Sequence, residues 1–130
     1  MSSPLPTSAE PASRRHGPAA SFGYAFAGLS AGWRSQPNFR IHVVLAAGVV
    51  VAGVLLRLSA GGWAIVALAI GLVLAAELFN TAVEAVVDLV SPADHPLAKR
   101  AKDVAAGAVL IAALAAAAAG AAVLTGALGR

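Results

Sequence analysis

The fold is decided by residues 63–90, WAIVALAIGLVLAAELFNTAVEAVVDLV, where an apolar run continues directly into a polar stripe. The apolar part, up to Ala76, is typical of a membrane span, since a bilayer needs about 20 predominantly apolar residues in a helix. The polar stripe continues the same helical register and consists of Glu77, Asn80, Glu84 and Asp88. At 1.5 Å per residue the helix is about 40 Å long, so its C-terminal turns must emerge on one side of the membrane.

Two further apolar runs predict two more membrane spans. They cover about residues 38–58 and 101–128, and basic residues lie at their ends. Hydrophobic residues make up 59% of the 130-residue chain and charged residues only 12%, whereas a soluble domain carries about 25% charge. The composition therefore indicates a membrane protein. A nucleic-acid binder is disfavoured because no basic face with interleaved aromatics is present, and the lack of cysteine excludes disulfides and thiolate metal sites.

The N-terminal part of the chain is different in character. Residues 1–20 are rich in Pro, Ser and Ala and have no apolar core of a secretory signal, which predicts a disordered cytoplasmic tail. Residues 21–36 place aromatics at helical spacing but are too polar to span a bilayer, which predicts an amphipathic helix in the interface. The predicted fold class is an all-α membrane protein. A single domain, residues 21–130, would hold this surface helix and three transmembrane helices.

The distribution of basic residues predicts the orientation. Most of them lie before the first span or between the second and third spans, namely Arg14, Arg15, Arg34, Arg40, Lys99, Arg100 and Lys102. Only Arg57 lies in the other loop. By the positive-inside rule the N-terminus and the second loop are cytoplasmic, and the C-terminus is outside.

The polar stripe is the most unusual feature of the sequence. At 100° per residue its four members share a sector of roughly 80°, and an ionised carboxylate facing lipid costs about 2.5–3.5 kcal/mol. The stripe must therefore face protein, water or a bound cation. It is either a packing surface paired with basic residues or a functional site, and the second is the default for ionisable groups in a membrane. A proton or cation conduit is disfavoured because no polar side chain continues the stripe between residues 63 and 76.

The residue types suggest chemistry on phosphate groups. One carboxylate of the stripe could bind Mg²⁺, and another could act as general base towards a hydroxyl at the interface. Lys102 is a candidate for holding phosphates, and Asp103 for orienting it or accepting a ribose hydroxyl. The alternatives are a topology anchor for Lys102 and a turn residue for the nearby His95. The common phosphate loop and protein-kinase motifs are absent from the sequence.

The stretches ELFNTAVEAVVDLV (77–90) and HPLAKRAKDVAAGAV (95–109) resemble the prokaryotic diacylglycerol kinase and undecaprenol kinase family. FGYAFAGL (22–29) and NFRIHVV (38–44) are similar to its surface helix and first span. The resemblance covers about residues 22–123. It implies a homotrimer in the bacterial inner membrane, with active sites shared between protomers. It also implies transfer of the ATP γ-phosphoryl group to a lipid alcohol with Mg²⁺.

The resemblance also implies roles for individual residues. Glu77 matches the family's catalytic base, Asn80 the neighbouring residue that arranges the reacting groups, and Glu84 a Mg²⁺-binding carboxylate. Further residues match nucleotide contacts, with Lys102 on the phosphates; these are Lys102, Asp103, Tyr24, Asp94 and His95.

One position departs from the family pattern. Gln36 stands where the family usually carries a second metal-binding Glu, so we expect a neutral carbonyl oxygen at the metal site there. Weaker metal binding, a changed nucleotide preference or a non-catalytic relative are open. The NFRIHVV and HPLAKRAKD segments resemble the undecaprenol kinase branch more than the diacylglycerol branch. The expected product is therefore undecaprenyl phosphate, with phosphatidic acid as the alternative.

Overall fold

The computed structural model describes residues 17–129, which form four helices and no strand. The helices are α1 (Pro18–Ser35), α2 (Pro37–Leu55), α3 (Ala60–Val90) and α4 (Pro96–Leu128). The last three are long and apolar enough to cross a membrane, and α1 is not among them. The predicted all-α membrane fold, with a surface helix and three spans, is thus confirmed. Residues 1–16 of the predicted tail lie outside the described residues, and α1 begins at Pro18, three residues before the predicted start at residue 21.

The α1–α2 junction is built around a proline. Gln36 is extended, with φ −114° and ψ 106°, and its backbone N–H donates to the Gly32 carbonyl at 3.0 Å. The proline ring disfavours the helical backbone conformation for the residue that precedes it, so α1 ends here. Pro37 then opens α2, where its missing N–H costs no hydrogen bond. Gln36 consequently lies at the bend between the surface helix and the first span.

The end of α2 comes earlier than the predicted residue 58. Arg57 has a positive φ of 52°, its N–H donates to the Val54 carbonyl, and the Leu58 N–H donates to the Gly53 carbonyl. These two bonds make a Schellman motif, which commonly closes a helix. The apolar run extends beyond the helix as far as Leu58 because the Leu58 side chain is buried against Gly53.

Both α3 and α4 begin earlier than predicted because polar side chains cap them. The Ser59 hydroxyl accepts from the Gly62 N–H at 3.2 Å, so α3 starts at Ala60 and not at residue 63. His95 Nδ1 accepts from the Leu97 N–H at 3.1 Å, so α4 starts at Pro96 and not near residue 101. Capping satisfies backbone N–H groups of a first turn that lies outside the run of large apolar residues marking the span.

The helices differ in length, and this places the polar end of the molecule. At 1.5 Å per residue α2 is about 28 Å long, close to the hydrocarbon thickness of about 30 Å, whereas α3 and α4 are about 46 and 50 Å long. Since the α2–α3 connection is a tight turn, the excess length of α3 and α4 projects at the opposite end. α3 packs along α4 and, less extensively, against α2, while α1 contacts both α2 and α3. Gly32 of α1 faces the side chains of Leu78 and Phe39.

Candidate active site

The first part of the site is a hydrogen-bonded carboxylate at the bend between α1 and α2. Glu84 of α3 accepts from Asn80 Nδ2 on Oε1 at 2.9 Å and from Gln36 Nε2 on Oε2 at 3.3 Å. The first donor lies one turn away on the same helix, and the second comes from a distant part of the chain. Glu84 is therefore held between two neutral amides.

Asn80 is buried, with 9% of its surface exposed. Its Oδ1 is completely enclosed and has no hydrogen-bond partner among the described residues. An unpaired buried polar atom costs about 1–3 kcal/mol. Such an atom beside a carboxylate is a place where a donor or a cation would be bound favourably.

Glu77 lies deepest in the site and is only 3% exposed. Its Oε1 is 3.2 Å from Nε2 of His42 on α2. Glu77 is seven residues before Glu84, about 10 Å along the helix axis. Since Gln36 at the start of α2 contacts Glu84, Glu77 lies about that far towards the membrane interior from the helix junction.

The exposure of the stripe increases towards the end of α3. Glu77 and Asn80 are buried, Glu84 is half-buried, and the side chain of Asp88 is 66% exposed. Asp88 pairs with Lys102 Nζ of α4. Lys99 pairs with Asp103 one turn away on α4. The projecting ends of α3 and α4 thus carry charge, while the deeper part carries buried carboxylate and amide groups.

A cavity of about 740 Å³ lies where the projecting ends of α3 and α4 meet their connecting loop. Three of the predicted nucleotide contacts line it, namely Asp94, His95 and Lys102. Asp103 and Tyr24 are not among its lining residues. Tyr24 is exposed on α1 and lies about 18 Å along the helix axis from Gln36.

The structure therefore groups most of the predicted residues into two sets and leaves Asp103 and Tyr24 outside both. Gln36, Asn80 and Glu84 are joined by hydrogen bonds, and Glu77 lies at the inner end of the same stripe. The second set consists of Asp94, His95 and Lys102, which line the cavity at the α3–α4 end. The residue beside this stripe that the sequence pattern did not point to is His42 of α2. The available signal was an imidazole inside an otherwise apolar run.

The sequence model of prokaryotic diacylglycerol kinase matches residues 23–124, which include both sets of side chains. The chain belongs to the prokaryotic diacylglycerol kinase family. A member of this family that resembles it is a diacylglycerol kinase of Synechocystis, 54% identical over 97 residues, which are 74% of this chain and 55% of the relative. The chain thus spans little more than half the length of that relative.

Two other family members widen the comparison. An undecaprenol kinase of Bacillus subtilis is 45% identical over 91 residues, covering 70% of this chain and 74% of the relative. A diacylglycerol kinase of Pseudomonas aeruginosa is 40% identical over 90 residues, covering 69% of this chain and 73% of the relative. Relatives named for two different lipid alcohols therefore resemble the same chain.

Within this family fold, the donors around Glu84 fit a hard cation such as Mg²⁺. The Glu84 carboxylate and the unpaired Asn80 Oδ1 offer oxygen atoms of the kind that a hard cation binds, and a half-turn of the Gln36 amide would present its Oε1 to Glu84 in place of Nε2. Residues 17–129 contain no group of three or more His, Cys, Asp or Glu side chains suited to a metal. Mg²⁺ usually takes one or two carboxylates and completes its coordination with phosphates and waters. The residues thus suit a cation shared with a nucleotide.

Proposed function

We propose that this protein transfers the γ-phosphoryl group of ATP to the hydroxyl of a membrane lipid alcohol. The observation that carries the proposal is the family match over residues 23–124. It is supported by the buried Glu77, which lies on α3 about 16 Å along the helix axis from Asp88 at the charged cavity. A lipid hydroxyl and a water-soluble nucleotide can meet between these two places. The buried Glu77 suits the lipid hydroxyl, and the charged cavity suits the nucleotide.

The proposed chemistry uses Glu77 as general base. Its carboxylate accepts the proton of the lipid hydroxyl as the hydroxyl oxygen forms a bond to the γ-phosphorus. The bond between the γ-phosphorus and the oxygen bridging to the β-phosphorus breaks, and ADP leaves with the electron pair. Asn80, whose Oδ1 is unpaired, arranges the reacting groups.

We assign nucleotide binding to the α3–α4 end. Lys102 contacts the phosphates, Asp94 and His95 line the same cavity, and Asp103 and Tyr24 are proposed as further contacts. Lys102 pairs with Asp88 in this structure, so phosphate binding competes with that ion pair. Glu84 and Gln36 would hold Mg²⁺, which would supply positive charge to neutralise the transferring phosphate.

Undecaprenol is our proposed acceptor. The 45% identity to the Bacillus subtilis undecaprenol kinase and the two segments that resemble this branch support it. Diacylglycerol is the second candidate, favoured by the 54% identity to the Synechocystis diacylglycerol kinase. Both lipids present a primary alcohol and differ in their hydrocarbon parts.

The test is phosphorylation by purified protein in detergent micelles with labelled ATP and Mg²⁺. Undecaprenol and diacylglycerol are offered in parallel, with Glu77→Gln as the inactive variant. Glu10→Gln, which lies outside the matched family region, is the control. Label in undecaprenol that is lost only in Glu77→Gln supports the proposal. Label mainly in diacylglycerol keeps the mechanism and changes the acceptor, and no label in either lipid indicates a non-catalytic relative.

We also propose that the protein is a homotrimer in the bacterial inner membrane, with the N-terminus in the cytoplasm. The positive charges before α2 and between α3 and α4 support this orientation. Only five hydrophobic residues between 17 and 129 are buried within one chain, so long apolar helix faces remain for lipid or for neighbouring copies.

A further inference from the structure

We propose that His42 is a positioning residue that holds the carboxylate of Glu77 for proton abstraction. The inference rests on the proposed function, because it concerns the base of the same reaction. It assigns a role to a histidine near the start of the first span. The carrying observation is the distance of 3.2 Å between His42 Nε2 and Glu77 Oε1.

The Glu77 carboxylate has one basic neighbour, His42 of α2, among the described residues. Within residues 17–129, no other Lys, Arg or His nitrogen lies within 4.0 Å of the Glu77 carboxylate. Glu77 is almost completely enclosed, and the His42 side chain is 21% exposed. A buried carboxylate needs a partner, since an isolated charge there is strongly disfavoured. His42 is the side chain that supplies one.

The contact also has a chemical consequence. An imidazole at Oε1 restricts rotation of the carboxylate and leaves Oε2 for the substrate hydroxyl. A general base must lie within hydrogen-bond reach of the proton it removes, and a displacement of about 1 Å can reduce a rate about 100-fold. Holding Glu77 in one orientation therefore raises the fraction of encounters that lead to proton transfer.

The surroundings of His42 support a directed role. A cavity of about 440 Å³ lies between α2, α3 and α4, and His42 is the only polar side chain among its lining residues. The others include Leu45, Val73 and Leu114. His42 thus lies between an apolar space and the buried carboxylate. If His42 only filled space, an apolar residue of similar size would serve equally well.

The kinetic test compares His42→Ala, His42→Gln and His42→Phe in the lipid phosphorylation assay. We expect kcat to fall about 10- to 100-fold in the Ala and Phe variants, with the KM for lipid changed less than about threefold. His42→Gln retains an N–H donor and should recover kcat to within about fivefold of the wild type, since the amide of Gln can still donate to the Glu77 carboxylate. His16→Ala, outside the matched family region, is the control.

A second readout detects the contact without activity. Nitrogen-15 spectra of the histidine rings in micelles should show the His42 signal shifted by Glu77→Gln, while the His95 signal stays in place. Unchanged kcat in His42→Ala and His42→Phe, with activity abolished in Glu77→Gln, overturns the positioning role alone. Equal losses of kcat in all three His42 variants, with lower unfolding temperatures, indicate a packing role and also overturn it.

The failure of the proposed function gives a different result. A wild-type protein that phosphorylates neither lipid overturns the kinase proposal and, with it, the positioning role. A His42 signal that still responds to Glu77→Gln would then show that the contact exists in a protein of another activity. The two proposals are thus separated by one pair of measurements.

Discussion

Glu84 is surrounded by amide groups and not by a second carboxylate. Gln36 and Asn80 each donate to one of its oxygens, so the cluster contains a single carboxylate. A neutral neighbour stabilises the carboxylate in the absence of a cation but adds no charge for binding one. In the proposed metal site, the residue at position 36 is therefore expected to set the balance between protein stability and metal affinity.

Gln36→Glu should strengthen the response to Mg²⁺. Two unit charges at about 4 Å repel by about 4 kcal/mol at an effective dielectric constant of 20, and a cation relieves that repulsion. We expect the Mg²⁺ concentration for half-maximal activity to fall about tenfold, equivalent to about 1.4 kcal/mol. The unfolding temperature in micelles should also rise more on adding Mg²⁺ than it does for the wild type. Gln36→Met is the uncharged control, and an unaltered Mg²⁺ dependence in Gln36→Glu would remove position 36 from the metal site.

Replacing Asn80 is expected to reduce activity strongly while changing the stability of the protein little. Asn80→Leu removes a hydrogen bond to Glu84 but also removes the unpaired buried Oδ1, so the free energy of unfolding should change by less than about 1 kcal/mol. Activity should fall about 100- to 1000-fold, as for the loss of a preorganised polar group in an active site. Thr81→Val, which deletes a hydroxyl bonded only to its own helix backbone, is the matched control. Retention of activity in Asn80→Leu would argue against a catalytic role.

At the scale of elements, the α2–α3 turn depends on a close approach. A Cβ on Gly53 would lie 2.9 Å from Leu58 Cδ1 and 3.0 Å from Trp63 Cη2, so two side chains occupy the space that a larger residue would need. The Schellman bonds and the positive φ of Arg57 close α2 at the same place. The turn thus sets where α3 starts and how far its other end projects.

Gly53→Ala should destabilise the protein. Overpacking a filled space costs about 1–3 kcal/mol, and this loss should exceed the gain from replacing a helical glycine, about 0.5–1 kcal/mol. Thermal unfolding in micelles measures the difference. Gly48→Ala in the same helix is the control, since a Cβ there meets nothing within 4 Å and only the gain is expected. Equal unfolding temperatures for the two variants would mean that the turn is more adaptable than its packing indicates.

At the scale of the whole molecule, unequal helix lengths place the candidate site at one end of the helix bundle. α2 spans about one hydrocarbon thickness, and the additional turns of α3 and α4 carry Glu84, Asp88 and Lys102 beyond it. The proposed reaction needs such a place, because its nucleotide is water-soluble and its acceptor is held in lipid. Three spans with both long helices projecting on one side provide it.

The absence of cysteine from the sequence allows the orientation to be tested with single introduced thiols. Ala93→Cys, in the loop between α3 and α4, should react with a membrane-impermeant maleimide only after the cells are opened. Ala60→Cys, at the start of α3, should react in intact cells. Both positions are exposed, so access and not burial decides the result. The reverse pattern would place the proposed nucleotide cavity outside the cell and contradict the orientation.

The sequence by itself determined the spans and the polar stripe, because both depend on local periodicity. Glu77, Asn80 and Glu84 share one face of a helix at any tertiary arrangement, since three- and four-residue spacings follow the helical repeat. The resemblance of residues 77–90 and 95–109 to one family was sufficient to name the candidate residues, and the family match confirms the family. The predicted starts of α3 and α4 lie too late in the chain, since the first turn of each helix is stabilised by a polar capping side chain before the apolar run begins.

Only the tertiary structure decided which distant groups meet. The contact of Gln36 with Glu84 joins residues 48 positions apart, and the contact of His42 with Glu77 depends on how α2 lies against α3. Helical periodicity gives the face on which a side chain lies, but not the neighbour that the face meets. That neighbour is selected by the proline bend before α2 and the Schellman turn after it. These two connections place the imidazole of the first span beside the buried carboxylate of the second.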